Sequence, residues 1–296
     1  MRSSQRGREL SKSFQKAMKS FQGHLEGTSK SMHTIDSYRL DLSHFQKFLG
    51  EQIKLSDLTR KDLERYHDHM KSEGHKTNTR RRRIMTVRKF MAYVTKRSKL
   101  EIDVAKKLPA PEKIERVPHY VSTSDLVKKI QSLNTDSLIF ARNRALLWVL
   151  AETGCQVSEI TRLAWREIDF KKNEVEFLGQ AKRVVSISAA LSSALAKIKN
   201  ENETFCFLGF NRFGSLGAPI TPRGVELLVK SYESKLGLGL LTPRTFRHSV
   251  VVHWFIEGVS EKEIQRRLGL RTPYAFRVYA PIFNGLRSTN EATSSE

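Results

Sequence analysis

The stretch from Leu241 to Tyr279, LTPRTFRHSVVVHWFIEGVSEKEIQRRLGLRTPYAFRVY, constrains the fold more than any other part of the chain. It holds three helix starts in close succession. Thr242-Pro243 opens the first, with Thr as cap and Pro at the first helical position, where a missing N–H is no loss. Ser260 and Glu263 have the spacing of a capping box and open the second. Thr272-Pro273 opens the third. Arg247 and His248 sit together on the first of these helices, and the third carries Tyr279.

The chain has 296 residues, enough for two domains with separate cores. No apolar run approaches a membrane span, and the candidate Val250–Ile256 is interrupted by His253. The basic, Ser-rich start lacks the apolar core of a secretory signal. Cys155 and Cys206 make neither a disulfide framework nor a metal cluster, which fits a reducing cytoplasm; no metal or cofactor is expected. The formal net charge is +21. Residues 1–116 hold 28 Lys+Arg against 14 Asp+Glu, so the basic excess is densest there. A charge of this size favours a polyanion, and nucleic acid is the commonest. Attraction to anionic lipid is the alternative, and no amphipathic anchor or lipidation motif supports it.

Apolar periodicity predicts helices from Leu10 to about Leu25, over 33–49, and over 60–72 with Gly74 as C-cap. The next, 77–97, carries a buried stripe of Ile84, Val87, Met91 and Val94. Arg80, Arg81, Arg82, Arg83, Arg88 and Lys89 cannot all share one face of it. Four consecutive arginines repel one another unless something anionic is near, so these six read as phosphate contacts along a DNA groove. A solvated helix end is the alternative. Residues 108–118, with three prolines, read as a linker. Ser122 and Asp125 start a helix beyond it, and residues 138–153 form a strongly apolar helix closed by Gly154. Val175–Leu178 and Val184–Ile187 read as a β-hairpin. A helix at 189–199, a loop over 204–220 and a helix from Thr221-Pro222 complete the run up to Leu241.

These boxes resemble the tyrosine recombinases of phage-integrase and Xer type. That family's C-terminal pattern runs His-x-x-Arg-His-Ser, then Leu-Gly-His, then a nucleophilic Tyr nine residues on. Here Arg247-His248-Ser249, Leu268-Gly269 and Tyr279 fit, but Arg244 and Leu270 stand at the two histidine positions. GCQVSEITRLAWREIDF resembles the family's Gly-x-Arg-x-Ser-Glu box and the Leu-x-Trp-x-Asp-Ile-Asp run after it, with Gln156 in place of Arg. The hairpin turn, GQAKR, puts Gln180 at the family's Lys and leaves Lys182, with Arg183 beside it, as the stand-in. Tyr38, Asp41, Leu42 and Phe45 fit a pattern of the family's core-binding domain, which clamps one side of a duplex.

The resemblance implies a mainly α fold. A helical core-binding (SAM-like) domain, 1–112 with a basic arm at 1–9, precedes the linker. A mostly helical catalytic-type domain with a small antiparallel β-sheet then spans 119–287, before a disordered tail at 288–296. It also implies metal-free chemistry: the Tyr hydroxyl attacks a backbone phosphate, giving a phosphotyrosyl bond and a free 5′-hydroxyl. Two arginines with His or Trp donors stabilise the charge on the phosphate oxygens, and a Lys protonates the leaving oxygen. Tyr279 and Arg247 hold catalytic positions, with Lys182 and Arg244 as substitutes. Gln156, Gln180 and Leu270 are degenerate. His253, set in an apolar run, reads as a core histidine.

Three functions stay open. The first is a DNA-binding family member of recombination or integration with an impaired active site. The second is an active site-specific recombinase of divergent constellation, and the third a structural or regulatory DNA-binder. The implied partners are double-stranded DNA and further protomers, of this chain or of another recombinase, joined through C-terminal residues such as Ile282, Phe283 and Leu286.

Overall fold

Among the described residues, most α-helices start where a Ser or Thr side chain accepts from the third backbone N–H of the first turn. The computed structural model describes residues 13–28, 31–50, 53–98, 103–106, 108–179, 182–210, 216–270 and 272–293. It divides into two compact units, Met1–Glu115 and Arg116–Glu296. Among the described residues no helix is long and apolar enough to cross a membrane.

The first unit contains α1 (Phe14–Glu26), α2 (Met32–Leu49), α3 (Arg60–Ser72) and α4 (Thr77–Ser98). Apolar residues at three- and four-residue spacing bury Phe14, Phe21, Phe45, Tyr66 and Phe90 together. Phe14 meets Phe90 at 5.2 Å and Phe45 meets Tyr66 at 4.8 Å between ring centres. Burying each such ring contributes about 1.5–3 kcal/mol. The segment after α4 is less free than its prolines suggest. The Asn78 side-chain amide brackets Ile114, donating to its carbonyl and accepting from its N–H, and Arg81 Nη1 donates to the Pro111 carbonyl at 2.7 Å. Residues 111–114 are therefore fastened to α4. The expected basic arm at 1–9 lies outside the described residues.

The second unit is built around α6 (Leu138–Thr153), whose residues Ala145–Ala151 are all buried. A helix apolar all round belongs at the centre of a core. Packed about it are α5 (Thr123–Gln131), α8 (Ala189–Ile198) and α10 (Pro243–Ile256). The remaining helices are α7 (Val157–Ile160), α9 (Pro222–Leu236), α11 (Glu261–Arg267) and α12 (Ala280–Thr293). Strands β1 (Ile168–Asp169), β2 (Glu174–Phe177) and β3 (Arg183–Ser186) form one antiparallel sheet in that order, with Val175 opposite Val185.

Three expectations are corrected here. Within the loop expected over 204–220, β4 (Leu208–Phe210) and β5 (Leu216–Pro219) pair antiparallel. Their Gly209 and Gly217 hide the strand signal, since Gly is depleted in strands. The segment opened by Thr272-Pro273 is a 3-10 helix over Pro273–Tyr279, and the α-helix starts only at Ala280. That α-helix runs to Thr293 rather than ending in a disordered tail at 288. Arg287 is bonded to Glu261 at 2.7 Å, and once the first turns are fixed each further residue adds a hydrogen bond at little entropic cost.

Candidate active site

Arg247, His248 and Tyr279 come together between the ends of α6, α10 and α11. Gly154 makes the approach close. It adopts φ +58°, and a Cβ there would meet the Val250 Cβ at 3.3 Å. Arg247, one turn into α10, donates from Nη1 to the Gly154 carbonyl at 2.6 Å and from Nη2 to the Leu268 carbonyl at 2.9 Å. Those carbonyls are orphaned helix ends that need donors. Burial holds the Arg247 pKa below its ordinary value, against the raising effect of Glu159 and Tyr279.

Tyr279 ends the 3-10 helix with its ring buried against Phe276 and Phe283, at 5.3 and 5.9 Å. Its hydroxyl lies 2.7 Å from His248 Nδ1. Burial pushes the phenol up to about 12, although Arg247 and Arg244 pull it down. Burial, then the charges of Arg244, Arg247 and His119, lower His248 to about 4. At neutral pH the phenol is therefore the donor and a neutral imidazole the acceptor. The Ser249 hydroxyl on the same helix accepts from the Val121 N–H at 3.0 Å and donates to the Thr245 carbonyl.

Behind Arg247 stands a buried ion pair. Arg183 grips both oxygens of Glu159, donates from Nε to the Arg267 carbonyl at 2.6 Å, and lies 4.7 Å over the Phe177 ring. The side chains are 2% and 9% exposed. Glu159 also accepts from the Gln156 N–H at 2.6 Å, which closes the first turn of α7. The period-two alternation of β3 carries a signal for this role, because it places Arg183 on the inward face with Val185.

The other positions singled out in the sequence are placed differently. Gln156 is exposed just before α7, and Arg244 is exposed with its charge reaching His248 and Tyr279. Leu270 packs half-buried against the core, after Gly269 (φ +65°) ends α11. Lys182 is paired with Glu176 at 2.9 Å on the exposed side of the hairpin. Among the described residues no hydrogen bond or ion pair joins it to Arg247, His248 or Tyr279. Gln180 lies outside the described residues. His253 is not a core histidine. It is 39% exposed and 4.0 Å from Glu257, because it faces away from the stripe that buries Val250, Val251 and Trp254.

In the first unit, the arginine tract on α4 is more engaged than either expectation allowed. Arg82 Nη1 donates to the buried Asp41 at 2.7 Å, and Arg83 reaches both Asp41 and His75. Arg80 Nη2 reaches the Thr77 hydroxyl at 3.4 Å, Arg81 holds Pro111, and Arg88 holds the Lys106 carbonyl. Lys89 bonds the Tyr38 hydroxyl at 3.3 Å. Burial raises the Asp41 pKa while Arg82, Thr86 and Arg83 oppose it. Arg82, Arg88, Lys89 and Tyr38 also line a cleft of about 530 Å³.

Residues 18–98 match the N-terminal SAM-like domain of phage integrases, and residues 119–283 match the phage integrase family. The chain belongs to the phage integrase family, that of the tyrosine recombinases. A tyrosine recombinase XerC of Herpetosiphon aurantiacus is 27% identical over 266 residues, 85% of each chain. The XerC of Chlamydia muridarum is 27% identical over 271 residues, 81% of this chain and 84% of that one. Two solved structures share the fold of this family member. The XerH recombinase bound to a palindromic difH substrate in a post-cleavage complex has a TM-score of 0.73 at 15% identity, covering 90% of this chain and 81% of that one. A lambda integrase dimer bound to a COC′ core site has a TM-score of 0.68 at 14% identity, covering 88% and 75%.

Proposed function

We propose that this chain is a DNA-binding protein of recombination or integration whose own strand-cleaving chemistry is impaired. The observation that carries the reading is an intact frame around an altered set of anion-binding groups. Arg247 already gives two N–H donors to the Gly154 and Leu268 carbonyls. The positions that resemble the family's other phosphate-binding and proton-donating groups hold Gln156, Arg244 and Leu270. A neutral amide offers no charged bidentate fork, and a leucine donates nothing. Losing one preorganised donor at a developing oxyanion costs on the order of 10²–10³ in rate, and several such losses are present here. DNA binding is supported by the +21 charge and by the solved relatives, which are bound to DNA as dimers or, on a Holliday junction, as a tetramer. By the same analogy this chain binds duplex DNA alongside further protomers.

A second reading, retained cleavage, draws on one observation. The Tyr279 hydroxyl is held by a hydrogen bond to His248 Nδ1 at 2.7 Å, and the charges of Arg247 and Arg244 favour its phenolate against the effect of burial. Capture of sheared host DNA on the purified protein separates the two, half washed natively and half in SDS. The impaired reading expects fragments enriched only in the native half. Fragments that survive SDS, and vanish with Tyr279→Phe, overturn it in favour of cleavage. Absence of enrichment in both halves overturns DNA binding itself.

A further inference from the structure

Away from the tyrosine, three ligand-type side chains converge in the first unit. His44 projects from α2, while Glu73 and His75 flank Gly74 just after α3. The turn that presents them is fixed. The Gly74 N–H bonds Lys71 O and the His75 N–H bonds Met70 O, with Gly74 at φ +73°. This is the paired pattern of a Schellman end, and glycine adopts its left-handed residue without strain.

Glu73 Oε2 lies 3.5 Å from His44 Nε2 and 3.3 Å from His75 Nε2, and the three ligand atoms all fall within 4.8 Å of one another. Ligand atoms held 2.0–2.1 Å from a tetrahedral zinc ion stand roughly 3.3–3.4 Å apart. We propose that His44, Glu73 and His75 bind a first-row divalent metal ion, zinc foremost, with water completing the tetrahedral shell. Imidazole nitrogen with one carboxylate oxygen is a donor set suited to that ion.

One further contact suits a metal ligand, and another must yield to the ion. The His44 Nδ1 is 2.9 Å from the hydroxyl of the fully buried Tyr66, which orients the ring and leaves Nε2 for the ion, as outer partners of metal-bound histidines do. Arg83 Nη1 stands 2.9 Å from His75 Nε2. Guanidinium only donates, so that nitrogen presents a lone pair and no proton lies between it and Glu73. That lone pair is filled by Arg83 in this structure, so a metal ion would have to displace the guanidinium from it. Arg83 would then give up His75 and keep Asp41, 3.7 Å from its Nε. The ion would join the end of α2 to the α3–α4 turn, beside the arginine tract.

The test uses the full chain without a histidine tag, stripped with chelator and freed of it. Zn²⁺ is titrated by calorimetry and Co²⁺ by visible absorption, and the melting temperature is read with and without Zn²⁺. The expected result is one equivalent of either ion, tetrahedral Co²⁺ bands and a rise in Tm with Zn²⁺. Glu73→Gln and His75→Gln, both at partly exposed positions, should each weaken binding by at least about tenfold and abolish the Tm rise. His33→Gln, on an exposed residue elsewhere, should change neither, and circular dichroism checks that each variant is folded. Absence of stoichiometric binding overturns the proposal. So does binding that Glu73→Gln and His75→Gln leave unchanged, which would place the ion on scattered surface histidines.

Discussion

Tyr279 and His248 share a hydrogen bond of 2.7 Å between two groups that are both buried and both neutral at pH 7. Their titration has a consequence for stability. His248 is lowered to about 4 in the folded chain from an ordinary 6.5, so between those values the unfolded state binds more protons. Stability from this residue is therefore complete above pH 6.5 and is lost as pH falls towards 4, by at most on the order of 3 kcal/mol. Urea unfolding across that window should show stability rising with pH. His248→Phe should flatten its share of the slope, and should cost about 1–3 kcal/mol at pH 7 by leaving the phenol unpaired. An unchanged slope would mean that other groups carry the acid sensitivity.

The Arg183–Glu159 pair is buried enough that its two halves depend on each other. Glu159→Leu should destabilise the chain by about 3–5 kcal/mol, because it strands a buried guanidinium. Replacing both residues, with Arg183→Met and Glu159→Leu, should recover much of that loss, since neither charge is then left unpaired. Chemical denaturation of Glu159→Leu, Arg183→Met and the double variant measures this. Additive losses would show that the pair acts through separate contacts.

Much of this arrangement is legible in the sequence, and the exceptions have physical reasons. Caps at Thr242, Ser260 and Thr221 mark helix starts because each signal is local: one hydroxyl and one N–H three residues on. The α10 helix follows from its cap and spacing, whereas Tyr279 stands out only through the resemblance to the family's C-terminal pattern. The His248 bond to Tyr279 does not, because it joins residues 31 apart across a packing interface that no local pattern encodes. The arginine tract misleads for the same reason. Four adjacent charges look unsatisfied until Asp41, on a different helix, takes two of them.

On the proposed function, Lys89 is the basic residue of α4 best placed to show the DNA interface. It is exposed, bonded only weakly to Tyr38 and part of the cleft beside Arg82 and Arg88. Lys89→Ala should weaken duplex binding about equally across sequences. It should also reduce the slope of log K against log salt by about 0.9, the share of one phosphate contact. Affinities at several salt concentrations test this, and an unchanged slope would remove Lys89 from the interface. Arg82→Ala is the poorer probe, because it also releases the buried Asp41 carboxylate.

The strongest test of the altered constellation is to rebuild it. Gln156 is exposed, so Gln156→Arg needs no repacking of the core. Leu270→His removes some half-buried apolar contact, but the backbone bond from its N–H to Gln265 O remains. If the missing donors limit the reaction, the double variant should form covalent complexes with a captured DNA site faster by at least on the order of 10²-fold. Each single variant should gain less than its share, since groups that act on one phosphate are not independent. Adding Tyr279→Phe should abolish the gain entirely. SDS-resistant complex formed over time by each variant is the measurement. A double variant no faster than the unmodified chain would place the limit elsewhere: in the burial that raises the Tyr279 phenol to about 12, or in the carbonyl contacts that hold Arg247.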